Sequence, residues 1–379
     1  MVDKRALIIT RNFPPITGGM EKLVWNLYNE LKSDYLCSVI GPSGCKKYVS
    51  ARDCSLESPV SSIYMFLFIA FIEGVFCSAV RRNSICIAGS GVTAPIAVAI
   101  KKMFNVPAVV LIHGLDLIVD NRIYQRYFVP AVLNADIVIV NSQNTARLAL
   151  AKGVLKDKIK VLSPGVKLPH RPYTKNNFRK RYGVEDKKLL LSVGRLIPRK
   201  GIFEFLKFSL PEILDRCPKT VYMIIGEEPR ESLKKTGNYI QKIKSIIHEK
   251  GLTKHVLLLG HVDEMTLAQA YHESDLHILP VRDIPGDIEG FGMVIIEAAS
   301  YGLPTVSFSV GGVPDAIRHQ YSGLLVEKDN YRVLSETIIN HLNGKAWDIT
   351  AANCINHAKQ FSWERYGIRL REICDQVIG

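Results

Sequence analysis

The feature that most constrains this chain is an alternation. Short, continuous apolar runs rich in Val and Ile are separated, through nearly the whole length, by stretches of helical length and period. A strand that is apolar without alternation must be covered on both faces, and strands separated by helices pair in parallel. The runs 6–10, 37–40, 85–88, 108–112, 137–140 and 159–162 form one series. The runs 189–193, 221–225, 256–259, 276–279, 305–308 and 324–326 form a second. At 379 residues the chain exceeds what one hydrophobic core usually serves. Each series therefore predicts its own α/β, Rossmann-like doubly wound domain, the first over 1–165 and the second over 189–361. Between them, 166–188 reads as a linker, with Pro164 and Gly165 just before it, Pro169 and Pro172 within it, many Lys and Arg, and no apolar period. The final helical stretch, 362–379, has no strand after it and can pack back onto the first domain. Ligands of open parallel sheets bind at the carboxyl ends of the strands, so a pair of such domains predicts an interdomain cleft.

Charge narrows the ligand. The 49 Lys and Arg against 36 Asp and Glu leave a net charge of +13, which predicts an anionic partner. Both halves are basic, with no Lys/Arg-rich tail and no basic stripe interleaved with aromatics, so nucleic acid is excluded. A phosphorylated small molecule and an anionic membrane surface remain. The eight cysteines include no C-x-x-C pair and several lie in apolar runs, which predicts reduced, buried thiols and no metal site. The apolar core 6–9 is too short for a signal peptide, so the expected location is cytoplasmic. One segment complicates this. Residues 63–80 are apolar apart from Glu73 and small residues, and Arg81-Arg82 follows. They read either as a buried helix against a sheet or as a helix in the plane of an anionic membrane, with Lys46, Lys47, Arg52, Arg81 and Arg82 as its cations. Spanning is disfavoured by Glu73 and Gly74.

Three turns carry residues suited to chemistry. Gly18-Gly19 sits between the first strand and a helix opening Met20-Glu21, where backbone N–H groups can approach a phosphate. No G-x-G-x-x-G opens either domain, which disfavours a dinucleotide-dependent dehydrogenase. Gly194-Arg195 and Arg199-Lys200-Gly201 place three cations in a strand-to-helix loop, a donor fork and a point charge suited to a diphosphate. In 283–297, a Pro/Gly-broken loop with Glu289 leads through Gly290-Phe291-Gly292 into a helix starting Met293-Val294, in which Glu297 is the lone charge. A buried carboxylate there needs hydrogen-bond donors, which ribose or hexose hydroxyls supply.

The ordered set of Gly18-Gly19-Met20-Glu21, His113-Gly114-Leu115-Asp116, Gly194-Arg195 with Lys200-Gly201, Glu289 and Glu297 around Gly290-Phe291-Gly292, Gly311-Gly312-Val313-Pro314 and Ser322-Gly323 resembles the retaining nucleotide-sugar glycosyltransferases of family four, over essentially the whole chain. The loop 285–292 is most similar to members that transfer mannose or a similar hexose to envelope glycolipids. The resemblance implies a GT-B fold of two facing Rossmann-like domains. It implies that Arg195 and Lys200 hold the donor diphosphate and that Glu297 binds the ribose. Glu289 and the backbone of Phe291, Gly292, Met293 and Val294 would bind the donor, with Gly18, Gly19 and Gly194 lending backbone to the phosphates and His113 beside the sugar. Asp315 stands where the family commonly has Glu, and Gly226-Glu227 lacks a second Gly often found there. No D-x-D pair is present, so no metal or other cofactor is expected and Arg195 and Lys200 take the metal's electrostatic role. The expected partners are a nucleotide sugar, a glycan or lipid-linked acceptor and an anionic membrane face. The alternatives are a nucleotide-sugar 2-epimerase of the same fold and a non-catalytic glycan- or nucleotide-binding subunit.

Overall fold

A computed structural model of the chain describes residues 4–59, 62–169, 177–229, 238–345 and 348–379. It divides into two compact units, Met1–Gly165 with Trp363–Gly379, and Val166–Ser362. Unit 1 is built on seven parallel strands: β1 (Arg5–Ile9), β2 (Leu36–Pro42), β3 (Cys54–Ser58), β4 (Ile85–Ala88), β5 (Ala108–Ile112), β6 (Ile137–Val140) and β7 (Ile159–Val161), in the order β3-β2-β1-β4-β5-β6-β7. Unit 2 has six: β8 (Lys188–Val193), β9 (Thr220–Ile225), β10 (Val256–Gly260), β11 (Leu276–Leu279), β12 (Thr305–Phe308) and β13 (Gly323–Val326), in the order β10-β9-β8-β11-β12-β13. In each sheet the order reverses beside the first strand, between β1 and β4 and between β8 and β11. The carboxyl ends of those strand pairs are the crevices where such sheets take ligands.

The apolar runs account for every strand except β3. Its sequence, Cys-Ser-Leu-Glu-Ser, is polar at three of five positions because β3 lies at the sheet edge, half exposed. In unit 1 the helix Gly19–Leu31 lays Leu23, Val24, Leu27 and Leu31 on one face of the sheet. The C-terminal helix Trp363–Ile378 packs across it through Tyr366, Leu370, Ile373 and Cys374. Lys4 holds its far end through Asp375 at 2.7 Å, and Arg371 reaches Asp34 at 3.1 Å. The helix Ile63–Arg81 covers the opposite face with Phe66, Ala70, Gly74, Cys77 and Ser78, and with Leu67 partly buried beside them. Its other side is exposed, so a fully buried helix is not what the chain forms.

The expected linker 166–188 is corrected in part. Residues 170–176 lie outside the described residues, but Phe178 and Val184 are buried in the core of unit 2 beside Leu189, Leu191 and Tyr271. Arg179 is answered by Glu273 at 3.3 Å and Asp275 at 3.1 Å. Two apolar anchors in a charge-rich stretch are too few to show a period, which is why this part read as a connection.

Candidate functional site

A buried charge cluster of unit 2 forms where the loops after β8 and β11 meet. After Val193 the chain turns at Gly194, and the Leu196 N–H donates to the Glu227 carbonyl at 2.9 Å. A single 3-10 turn, Pro198–Lys200, then points Arg199 and Lys200 inward while Arg195 stays exposed. Arg199 and Lys200 are 7% and 8% exposed, values rare for cations without partners. The partner is Glu289, itself 9% exposed, whose Oε2 lies 2.8 Å from Lys200 Nζ and 3.5 Å from Arg199 Nε. Arg199 also binds Asp287 at 3.0 Å and donates to the Ile288 carbonyl. Arg199 is thus tied through Nη1 and its charge to the 283–292 loop. Of the three cations read as diphosphate ligands, Arg199 is corrected to a clamp between two loops, and Arg195 and Lys200 remain.

Burial by itself would raise the Glu289 carboxyl, but Lys200, Arg199 and Arg195 outweigh it and hold it down to about 2. Burial pulls the Lys200 amine down, aided by Arg199 and Arg195 and opposed by Glu289. Around one glutamate and Asp287 stand three cations, so the cluster has positive charge in excess and favours a further anion. Behind it, on β11, His277 is fully buried and held neutral, its value lowered to about 3 by burial and by the Lys200 charge. Its Nδ1 lies 3.0 Å from Thr305 Oγ1. An isolated His in a strand gave no sign of this proximity in sequence.

The depressed Glu289 pKa carries a stability consequence. A carboxylate whose folded value lies below its unfolded value stabilises the fold above the unfolded value, near 4.3, and loses that contribution as pH falls toward the folded one. The contribution is about 3 kcal/mol at most, since the buried Lys200 gives part of it back. Glu289→Gln is therefore expected to be less stable than the parent at pH 7 and to converge on it between pH 4 and 2. Urea-unfolding midpoints of both chains across that range check this; a gap independent of pH would show that the carboxylate is not the stabilising group.

The backbone around Glu289 is held from behind. The Gly312 N–H donates to the Glu289 carbonyl at 2.8 Å, and any Cβ on Gly312 would overlap the Gly290 carbonyl. The motif Gly311-Gly312 is thus a close approach of two loops. Gly292 caps the helix Met293–Ser300, whose N-terminus carries the backbone of Phe291 to Val294. Phe291 is buried, and Met293 and Val294 are half-buried. Glu297, expected to be buried, is only half-buried; it accepts a hydrogen bond from the Tyr271 hydroxyl at 3.3 Å. Tyr271 stacks on Tyr301 and was not singled out in the sequence, where a tyrosine in a helix has no distinguishing context.

Unit 1 holds the remaining candidates at the carboxyl ends of β1, β4 and β5. His113 is half-buried, with Nε2 2.9 Å from the Gly89 carbonyl, and its N–H donates to Asp116 at 2.8 Å. A bond to a carbonyl requires the proton on Nε2. Gly18 and Gly19 open the first helix. A Cβ on Gly18 would strike Glu21 Oε2, while Asn12 Nδ2 donates to Glu21 Oε1 at 2.8 Å. The helix N-terminus is thus already partly answered by an internal carboxylate, a role of Glu21 that its place in the motif did not reveal. Among the described residues no group of three or more His, Cys, Asp or Glu is placed to hold a metal ion.

Comparison with known proteins bears on both units. The model of Glycosyltransferase Family 4 matches residues 17–169, and that of Glycosyl transferases group 1 matches 174–361. The chain is 24% identical, over 97% of its length and 97% of the relative's, to a GDP-mannose-dependent alpha-(1-6)-phosphatidylinositol monomannoside mannosyltransferase of Mycolicibacterium smegmatis. The match to the Mycobacterium tuberculosis protein of that description is 29% identical over 50% of this chain and spans about half of that relative, 48%. Among solved structures, HepE of Anabaena in complex with UDP and glucose superposes with a TM-score of 0.79 at 19% identity, over 97% of this chain and 98% of that one. The sucrose-phosphate synthase of Thermosynechococcus elongatus gives 0.81 at 20% identity over 98% of each. With both domain models matched in order on two parallel-sheet units, the chain belongs to the family 4 glycosyltransferases of the GT-B fold.

Proposed function

We propose that this glycosyltransferase moves a hexose, mannose by preference, from a nucleoside-diphosphate sugar to a hydroxyl of a lipid-linked or glycan acceptor of the cell envelope, with retention at the anomeric carbon. The observation that carries the proposal is the Arg195, Lys200 and Glu289 cluster, an excess of positive charge at a sheet switch point with a sugar-hydroxyl acceptor within it. Lys200 and Arg195 hold the diphosphate and stabilise the charge that develops as it leaves. Glu289, kept ionised, accepts hydrogen bonds from donor-sugar hydroxyls, and Glu297 accepts them from the ribose. The C1–O bond to phosphate breaks with its electron pair on the leaving diphosphate. The acceptor oxygen bonds C1 from the same face, and its proton passes to a phosphate oxygen. His113, Gly18 and Gly19 are assigned to the donor on the resemblance alone. The two side-chain cations supply the charge that a divalent metal supplies elsewhere, so turnover is expected to survive EDTA. The preference for mannose rests on the mannosyltransferase relatives.

A thermal-shift series with GDP-mannose, UDP-glucose, UDP-galactose and ADP-glucose tests the donor. A ligand at 100 times its Kd adds about 2.7 kcal/mol to the folded state, or several degrees in Tm. GDP-mannose is expected to give the largest shift. A shift with UDP sugars only would replace the mannose reading, and no shift with any of the four would remove the donor assignment.

A further inference from the structure

The helix Ile63–Arg81 presents an apolar face to solvent along its whole length. Phe66, Ala70, Gly74 and Cys77 recur at helical spacing and are packed among Leu7, Ile9, Ile40 and Ile100. On the opposite side Tyr64, Met65, Phe68, Ile72, Phe76 and Val80 are 74%, 52%, 62%, 50%, 66% and 64% exposed. A surface helix ordinarily turns charged residues outward, and one that is apolar all round is normally buried. Here the single internal charge, Glu73, lies on the flank of the buried side, with its Oε2 shut away from solvent. The exposed strip, from Tyr64 to Val80, therefore carries no charge over roughly 24 Å of helix. Contiguous apolar surface of this kind marks a docking site.

What flanks the strip identifies the occupant. At the C-terminal end Arg81 and Arg82 are exposed. At the other end the turn Cys45–Tyr48, packed with the helix against β3, exposes Lys46 and Lys47. Glu57 beside them accepts the Lys46 N–H at 3.0 Å and is offset by both lysines. An apolar strip with cations at both ends complements a bilayer whose headgroups are anionic and whose interior begins just below them. Spanning is incompatible with the packing, because withdrawing Phe66, Ala70 and Gly74 would uncover the sheet.

We infer that the exposed face of the helix Ile63–Arg81 docks unit 1 in the plane of an anionic phospholipid bilayer, with Tyr64, Phe68, Ile72 and Phe76 inserted and Lys46, Lys47, Arg81 and Arg82 at the headgroups. This stands on the helix alone, whatever the acceptor proves to be. The test is flotation of the full chain with vesicles of phosphatidylcholine containing about 30% phosphatidylglycerol, against phosphatidylcholine alone. The parent is expected to float with the anionic vesicles and to be released by salt. The double change Phe68→Glu and Phe76→Glu is expected to cut partitioning at least about tenfold with Tm and donor binding kept, since neither side chain supports the core. Arg81→Glu with Arg82→Glu is expected to abolish the preference for anionic lipid. As a readout independent of that double variant's folding, Phe68→Trp is expected to be quenched by brominated lipid above the background of the three native tryptophans. A parent that stays at the bottom of the gradient, or a Phe68→Trp chain that is not quenched, overturns the inference. So does a parent dimer that the double variant turns into monomer without change in vesicle binding, which would assign the strip to a second copy.

Discussion

Replacing Arg195 with Ala is expected to lower kcat by 10²–10³ while leaving Tm within about a degree of the parent, and replacing Lys200 with Ala is expected to lower both. The difference follows from where the fold puts two cations five residues apart. Arg195 is exposed, so its removal uncovers nothing and costs only the electrostatic stabilisation of the leaving diphosphate. Lys200 is 8% exposed and its Nζ is 2.8 Å from Glu289. Removing one partner of a buried pair costs about 3–5 kcal/mol, because the other charge is left without compensation. Arg199 stays beside Glu289, 3.5 Å away, so the low end of that range is expected. Steady-state kinetics with the donor found by thermal shift, alongside urea unfolding, separate the two effects. Lys200→Arg restores charge but not a point charge of the same reach, and should recover stability more than kcat. If Arg195→Ala turned over normally, the diphosphate assignment would fail at that residue; an unchanged Lys200→Ala midpoint would mean that the buried pair does not contribute to folding.

The alternation of apolar runs was enough to place twelve of the thirteen strands among the described residues, because a strand covered on both faces has no choice but to be apolar throughout. β3 escaped because an edge strand needs only one covered face and is free to read Cys-Ser-Leu-Glu-Ser. Phe178 and Val184 escaped for a related reason: an isolated anchor has no period. The site was legible as motif and illegible as wiring. Three cations between Arg195 and Lys200 pointed to an anion, but sequence could not say which of them would face inward. The 3-10 turn decides that, and the partner that immobilises Arg199, Asp287, comes from a loop 88 residues later. Glu289 was found through its glycine-rich context, whereas Tyr271, which donates to Glu297, and His277, whose ring feels the Lys200 charge, had no local signature. The helix Ile63–Arg81 shows the limit from the other side. Its composition fits a buried helix and one with an exposed apolar face, and only the position of its neighbours separates them.

The second large effect is expected at Gly201, and it tests whether the loops after β8 and β11 must touch for the site to exist. Gly201 ends the 3-10 turn at φ +69°, a left-handed conformation that a side chain disfavours by about 1 kcal/mol. Space is the greater constraint. A Cβ on Gly201 would overlap the Pro280 carbonyl oxygen and come within 2.9 Å of its carbon, and both are backbone atoms that cannot swing aside. The Arg282 N–H meanwhile donates to the Arg199 carbonyl at 2.8 Å, tying the same two loops two residues away on each. Gly201→Ala must therefore part the loops, and Lys200, the adjacent residue, moves with them away from Glu289. The expected cost is about 3 kcal/mol or more in stability, with donor binding lost in whatever fraction remains folded. Gly183→Ala is the control for backbone strain alone, since Gly183 shares a positive φ of 64° and has nothing within 4 Å of where its Cβ would stand. It should cost about 1 kcal/mol and leave donor binding intact. Urea midpoints and donor titrations on the two variants give the comparison. Equal costs would reduce Gly201 to a turn residue; a large excess at Gly201, with binding lost only there, makes the Lys200-Gly201 pair one device, in which the glycine lets the backbone come close enough for the lysine to reach its glutamate.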